Sequence, residues 1–182
     1  MTVEAFLDWE ELQPARFECD GSHTYAMTGG SADHSRVQCN LIAELTSRLR
    51  GKPCKPFGSE LKILVAGSVR YPDAFVTCTP VKGKATYATD PVVVFEIISP
   101  STSGVDRIIK NQEYRDTPSI QRYVILEQDR QAAMVFSRDH GDWAGHVIAG
   151  DTELVMPEIG ISVPLADLYI DVELTIDLPP EA

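Results

Sequence analysis

The sequence predicts an α+β fold in which helices pack on a mixed β-sheet, and three observations carry that expectation. Val37, Leu41, Leu45 and Leu49 recur every four residues, the spacing that lines up side chains on one face of a helix. Residues 91–99 are almost all apolar and largely β-branched, as in a central strand covered on both faces. A second helical stretch, residues 105–115, falls between that run and another β-like run at 123–126. Helices interleaved with strands in this way are best buried against the faces of a sheet.

The remaining elements follow in order. Residues 2–12 carry Val3, Phe6 and Leu7 on one side and acids elsewhere, which predicts a short amphipathic helix. Asp20-Gly21 lies between two β-compatible runs and predicts a hairpin. A Gly-rich loop at 28–31 precedes the long helix, which begins near Asp33 and ends before Gly51, a C′ glycine. Residues 60–66 alternate around Leu61, Ile63 and Val65, and residues 71–79 carry Phe75 and Val76, so both read as strands. The second helix stops before Pro118. Residues 133–136 and 143–148 form a closing hairpin around Asp139-His140-Gly141-Asp142, residues 164–169 a last helical turn, and residues 177–182 a frayed tail. A chain of 182 residues fits one domain, residues 1–182.

Composition narrows the function. The net charge of -11 counts against a protein that holds nucleic acid by basic charge alone. No stretch approaches the ~20 apolar residues of a membrane span, and the first residues have no basic segment ahead of an apolar run, so neither a membrane span nor a secretory leader is expected. Cys19, Cys39, Cys54 and Cys78 form no C-x-x-C pair. They are read as reduced thiols of a cytoplasmic protein.

Glu96 is the most informative residue. It interrupts the apolar run at 91–99, where a buried carboxylate is costly unless it faces a cleft, is paired, or is neutralised by a cation. Asp73 opens the preceding strand. Two carboxylates on neighbouring strands can share one hard cation such as Mg²⁺, which takes oxygen ligands together with water and substrate phosphate. Asp106, Lys110 and Tyr114 are spaced four apart, on one face of the second helix. If that face turns toward Glu96, the Lys110 ammonium reaches the same point, where it can hold water or stabilise charge on a phosphate. Ser99, Ser101 and Thr102 can offer contacts to a phosphate oxygen. The competing readings are a turn role for Asp73, a buried pair of Glu96 with Arg122, a solvated Lys110 and a surface acid at Glu18. His34, at the start of the long helix, reads as a residue that caps the helix or contacts substrate, with capping preferred.

Arg70-Tyr71-Pro72-Asp73, then Phe95-Glu96-Ile97-Ile98-Ser99-Pro100-Ser101-Thr102, then Asp106, Lys110 and Tyr114 resemble the Uma2-like family, described as putative restriction endonucleases. The resemblance extends to the opening residues 2–7, the hairpin at 16–21 and His34. It implies a restriction-endonuclease-like core of the PD-(D/E)XK superfamily, with a mixed central sheet, flanking helices and additional hairpins. The superfamily lysine usually lies two positions after the glutamate. That position is Ile98 here, and the resemblance implies that the lysine has moved to Lys110. It also implies DNA as substrate, Mg²⁺ (or Mn²⁺) as cofactor, Asp73 and Glu96 as metal ligands, and Glu18 as a further acid of the catalytic set. Tyr114, Asp106 and Ser99 are the expected supports. The alternative is a binding or assembly module, a homodimer for example, that keeps the fold without cleavage.

Overall fold

The computed structural model describes residues 1–98 and 104–175, with the backbone alone for 104–107. Helix α1 (Val3–Glu10) starts at Thr2, whose hydroxyl accepts the Ala5 N–H. Strands β1 (Phe17–Cys19) and β2 (Thr24–Ala26) form the first hairpin. Helix α2 (Ala32–Leu49) follows, then β3 (Lys55–Gly58), β4 (Lys62–Val65), β5 (Ser68–Arg70), β6 (Ala74–Thr77) and β7 (Tyr87–Ala88). Strand β8 (Pro91–Ile98) leads to α3 (Gly104–Asp116) and β9 (Arg122–Glu127). Strands β10 (Ala132–Asp139) and β11 (Asp142–Ala149) make the closing hairpin, and β12 (Glu153–Met156) and β13 (Ile161–Pro164) a short ribbon.

The main sheet has the order β11-β10-β9-β8-β6-β3. Its β8–β9 pair is parallel and the other pairs are antiparallel, so the sheet is mixed, as predicted. A parallel pair needs a crossover, and α3 supplies it. A second sheet has the order β2-β1-β5-β4-β7.

Each face of the main sheet has its own apolar layer. Val37, Leu41, Leu45 and Leu49 of α2, the predicted stripe, are buried against Ala74, Val76, Val93 and Phe95. On the other face, Phe75, Val94, Ile98 and Tyr123 pack with Tyr114 of α3 and Ile63 of β4. Side chains alternate along a strand, so Glu96 shares the face of Val94 and Ile98 and points toward α3. Helix α1 is tied down separately. Phe6 packs with Cys19 and Val69, Trp9 meets Phe17 edge-on, and Glu10 accepts from buried Lys62 at 2.6 Å and from the Tyr71 hydroxyl at 2.9 Å. Among the described residues, no helix is long and apolar enough to cross a membrane.

Several expectations change. The last helical turn is a 3-10 turn, Leu165–Tyr169. The strand expected at 71–79 begins only at Ala74, because Pro72 has no N–H for a ladder bond. Strands β3, β5, β7, β12 and β13 did not stand out in the sequence, being too short for periodicity to show. The cysteine reading is half overturned: Cys54 and Cys78 are disulfide-bonded, and Cys19 and Cys39 are free. Lys55 lies opposite Thr77 on the antiparallel β3–β6 pair, so Cys54 and Cys78 face each other one step beyond, with Cα atoms 3.8 Å apart. Strand pairing, not sequence spacing, brings them together. Ser99, Ser101, Thr102 and the tail at 177–182 lie outside the described residues.

Candidate active site

Strand register brings the two acids together. Ala74 pairs with Phe95 across β6 and β8, so Asp73 and Glu96 occupy the next step along the same two strands. The Asp73 carboxylate is gripped from two sides. Its Oδ2 accepts the Ile97 N–H at 2.6 Å, and its Oδ1 lies 3.1 Å from His34 Nε2. Gln38 of α2 donates to the Asp73 carbonyl at 2.8 Å, which fixes the backbone at the mouth of β6.

Helix α3 closes over Glu96 from the other side. The Tyr114 hydroxyl donates to Glu96 Oε1 at 2.8 Å, and Lys110 Nζ donates to the same oxygen at 3.2 Å. Lys110 also reaches both oxygens of Glu18, each at 3.4 Å. Glu18 comes from β1, in the second sheet, so the site lies where the two sheets and α3 meet. Its Oε1 accepts the Tyr71 N–H at 2.9 Å and its Oε2 accepts Arg70 Nη1 at 3.2 Å. Arg70 is 1% exposed and donates twice to Glu113 of α3, at 2.7 and 2.8 Å. Ser68 adds a third bond to Glu113, at 2.7 Å.

Four carboxylates, Asp73, Glu96, Glu18 and Glu113, meet three basic side chains, Arg70, Lys110 and His34. Burial raises the Glu96 carboxyl to about 7 against the pull of Lys110; Asp73 and Glu18 add to the rise, and the Tyr114 hydrogen bond opposes it. Burial and Glu96 push the Tyr114 hydroxyl well above its ordinary range, so it stays a donor. The hydrogen bond to Asp73 raises His34, outweighing partial burial. Burial alone would lower Arg70, but the bonds and charge of Glu113 dominate and keep the guanidinium charged.

The structure therefore brings Asp73, Glu96, Lys110, Glu18 and Tyr114 to one place. Asp106 lies on α3 one turn before Lys110, but its side chain is not among those described, and Ser99 lies outside the described residues. The capping expectation for His34 is replaced: Ser31 caps α2, accepting the His34 N–H at 3.1 Å, and the imidazole is left to meet Asp73. Arg122, weighed as a partner for Glu96, instead makes a bidentate pair with Glu158, at 2.6 and 3.1 Å. Four members of the network were not singled out in the sequence: Gln38, Ser68, Arg70 and Glu113. Glu113 stands three residues after Lys110, on the same helical face, which was a usable signal. Arg70 adjoins the Tyr71-Pro72-Asp73 stretch, but nothing local shows that it turns inward. Among the described residues, no group of three or more His, Cys, Asp or Glu side chains is arranged to hold a metal ion.

A mixed sheet with α2 on one face, α3 on the other and acids at the strand ends is a restriction-endonuclease-like core. The chain belongs to the Uma2 family, whose description is "putative restriction endonuclease" and whose model matches residues 3–170. The Synechocystis sp. protein slr1290 is 32% identical over 173 residues, covering 93% of this chain and 91% of its own. A second Synechocystis protein, sll1609, is 27% identical over 133 residues, 70% of this chain and 75% of its own. The fold matches the crystal structure of a "putative nuclease belonging to DUF820" from Anabaena variabilis, with a TM-score of 0.75 over 93% of this chain and 98% of that one, at 18% identity.

Proposed function

We propose that this protein is a divalent-metal-dependent endonuclease that hydrolyses DNA phosphodiester bonds. The observation that carries the reading is that Asp73 and Glu96 sit at adjoining register positions of β6 and β8 while the Lys110 ammonium bonds Glu96.

The donor set suits Mg²⁺ or Mn²⁺: two carboxylates on adjacent strands, the oxygen ligands such ions take together with water and phosphate. Asp73 and Glu96 would hold the ion. When bound, it would polarise a phosphoryl oxygen and lower the pKa of an attacking water. The protein's own groups do the rest. Ile97 N–H and His34 keep the Asp73 carboxylate in one orientation, as a ligand needs. Tyr114 does the same for Glu96. Lys110 donates hydrogen bonds to the water or to a non-bridging phosphate oxygen as charge develops there. Asp106 and Ser99 remain supports on the strength of the family resemblance. A cleft of about 440 Å³, lined by Arg16, His34, Ser35, Gln38, Ser59 and Asp73, opens at the Asp73 side of the site and gives a strand room to approach that acid.

The acidic chain fits this reading if the bound cation supplies the local attraction. The basic side chains near Arg48 are largely committed elsewhere, Arg48 to Glu44 and Asp167 and Lys52 to the Gly160 carbonyl. Pairing of Glu96 with Arg122 and the lack of a cleft would have favoured a non-catalytic module, and neither feature is present among the described residues. The test is incubation of the purified chain with supercoiled plasmid, with Mg²⁺, Mn²⁺ or chelator. Wild type is expected to nick the plasmid only with metal. Lys110→Met is expected to lower the rate about 100- to 1000-fold, the usual cost of losing one preorganised charge-stabilising donor. Equal activity in both chains, or none in either, overturns the reading for this substrate.

A further inference from the structure

We propose that Glu18 is a positioning residue that holds Lys110, not a metal ligand, and that the buried Arg70–Glu113 pair fixes it in that role. This rests on the nuclease reading above and assigns the parts of its site.

The valences of Glu18 decide the matter. A carboxylate offers about four lone-pair directions. Oε1 accepts from the Tyr71 N–H and from Lys110, Oε2 accepts from Arg70, and the Lys110 ammonium lies 3.4 Å from Oε2 as well. Two cations and a backbone amide therefore converge on one acid that is itself buried. A metal ion drawn to Glu18 would have to compete with Lys110 and Arg70 for it, leaving the displaced cation with one acid fewer in a buried setting, a costly outcome. Asp73 and Glu96 carry no such load of cations. Glu96 shares Lys110 with Glu18, and Asp73 is bound by one amide and one imidazole.

The Arg70–Glu113 pair supplies the rigidity. Arg70 lies on β5 and Glu113 on α3, so their bidentate bond ties the helix to the second sheet. Charge-assisted bidentate pairs are geometrically demanding, and this one is held further by Ser68. The remaining Arg70 nitrogen, Nη1, is left to grip Glu18. The chain Ser68–Glu113–Arg70–Glu18–Lys110–Glu96 thus runs unbroken from the second sheet to the metal-facing acid. Lys110 is placed by both ends of it: Glu113 fixes its helix and Glu18 fixes its ammonium.

Three measurements on the full chain separate positioning from ligation. The first is timed acetylation of Lys110, read by mass spectrometry, in wild type, Glu18→Gln and Glu113→Gln, with thermal melts run alongside. Lys110 is expected to label about tenfold faster or more in both variants, the size of one lost charge-assisted hydrogen bond. The second is Mn²⁺ calorimetry. Glu18→Gln is expected to retain binding close to wild type, whereas Asp73→Asn loses it. The third is a double-mutant cycle on plasmid cleavage: Glu18→Gln combined with Lys110→Met is expected to lose no more activity than Lys110→Met alone, since a residue acting through Lys110 has nothing further to remove. A generally destabilising substitution would give additive losses instead.

Unchanged Lys110 labelling in Glu18→Gln overturns the proposal, and so does loss of Mn²⁺ binding equal to that of Asp73→Asn. If wild type binds no Mn²⁺ and cuts no plasmid, the nuclease reading fails on its own, and the labelling arm still decides whether Glu18 holds Lys110. If Glu113→Gln does not fold, Glu18→Gln alone decides it.

Discussion

Glu96 shows how a single residue can be costly and useful at once. It sits in a strand otherwise built from Val, Phe and Ile, and burial lifts its carboxyl to about 7. Tyr114 offsets part of that cost through one hydroxyl. Replacing Tyr114 with Phe should lower the unfolding free energy by about 1–3 kcal/mol, the penalty for leaving a buried acceptor short of a donor, and denaturant melts would measure it. A change within error would mean that water or Lys110 replaces the bond. Asp20 gives a cleaner electrostatic test away from the site. Partial burial pushes its carboxyl up, but the His23 and Ser22 N–H groups and the Tyr25 hydroxyl outweigh that and hold it at about 2, below the ordinary 3.8. A depressed carboxyl stabilises the fold above its unfolded value, and that contribution is lost as pH falls. Thermal melts of wild type should therefore drop relative to Asp20→Asn between pH 3.8 and about 2; parallel curves would remove Asp20 from the acid response. Glu96 could be picked out in the sequence because an acid inside an apolar run is unusual, whereas Asp73 and Lys110 stood out only together with it and through the family resemblance. Arg70 could not, because an arginine in a β-run is ordinarily a surface residue and only the register of β5 turns it inward.

At the scale of elements, the α2 stripe and the β8 run were legible because each repeats over many residues. Short strands such as β5 and β7 offered two or three residues and no period to read. The expectation for His34 failed for a related reason: Ser31 and Asp33 are both cap-forming types, and the sequence does not say which residue closes the helix. Leu45→Ala on α2 should cost about 2–5 kcal/mol, since the side chain is fully buried against the sheet and leaves a cavity. Its effect on the acids should be indirect, through global stability. The Cys54–Cys78 bond closes a loop with a sequence separation of 24, so reducing it should cost about 3 kcal/mol on chain-entropy grounds. Melts with and without reductant, beside Cys54→Ser, would show it. If reductant changes nothing in wild type, the two cysteines are thiols in solution.

For the whole molecule, the question is how a chain of net charge -11 meets a polyanion. Counterion release by basic residues cannot be the main source of affinity. On the proposed reading, affinity comes instead from a divalent ion held by Asp73 and Glu96, between two sheets and a helix, that bridges protein and phosphate. DNA retention in a gel shift should therefore depend on divalent cation and be lost with chelator; retention unaffected by chelator would assign binding to a basic surface instead. Such convergence was legible as residue types in the right order. Which side of the sheet each one faced was not, since that follows from strand register and the α3 crossover.

The most direct test is anomalous scattering from crystals of the protein grown with Mn²⁺. The account predicts one strong peak lying between the carboxylates of Asp73 and Glu96, with Lys110 beside it and Glu18 still bound to Arg70. A peak centred on Glu18, or no peak at the Asp73–Glu96 pair under conditions where Mn²⁺ binds the chain, would contradict it.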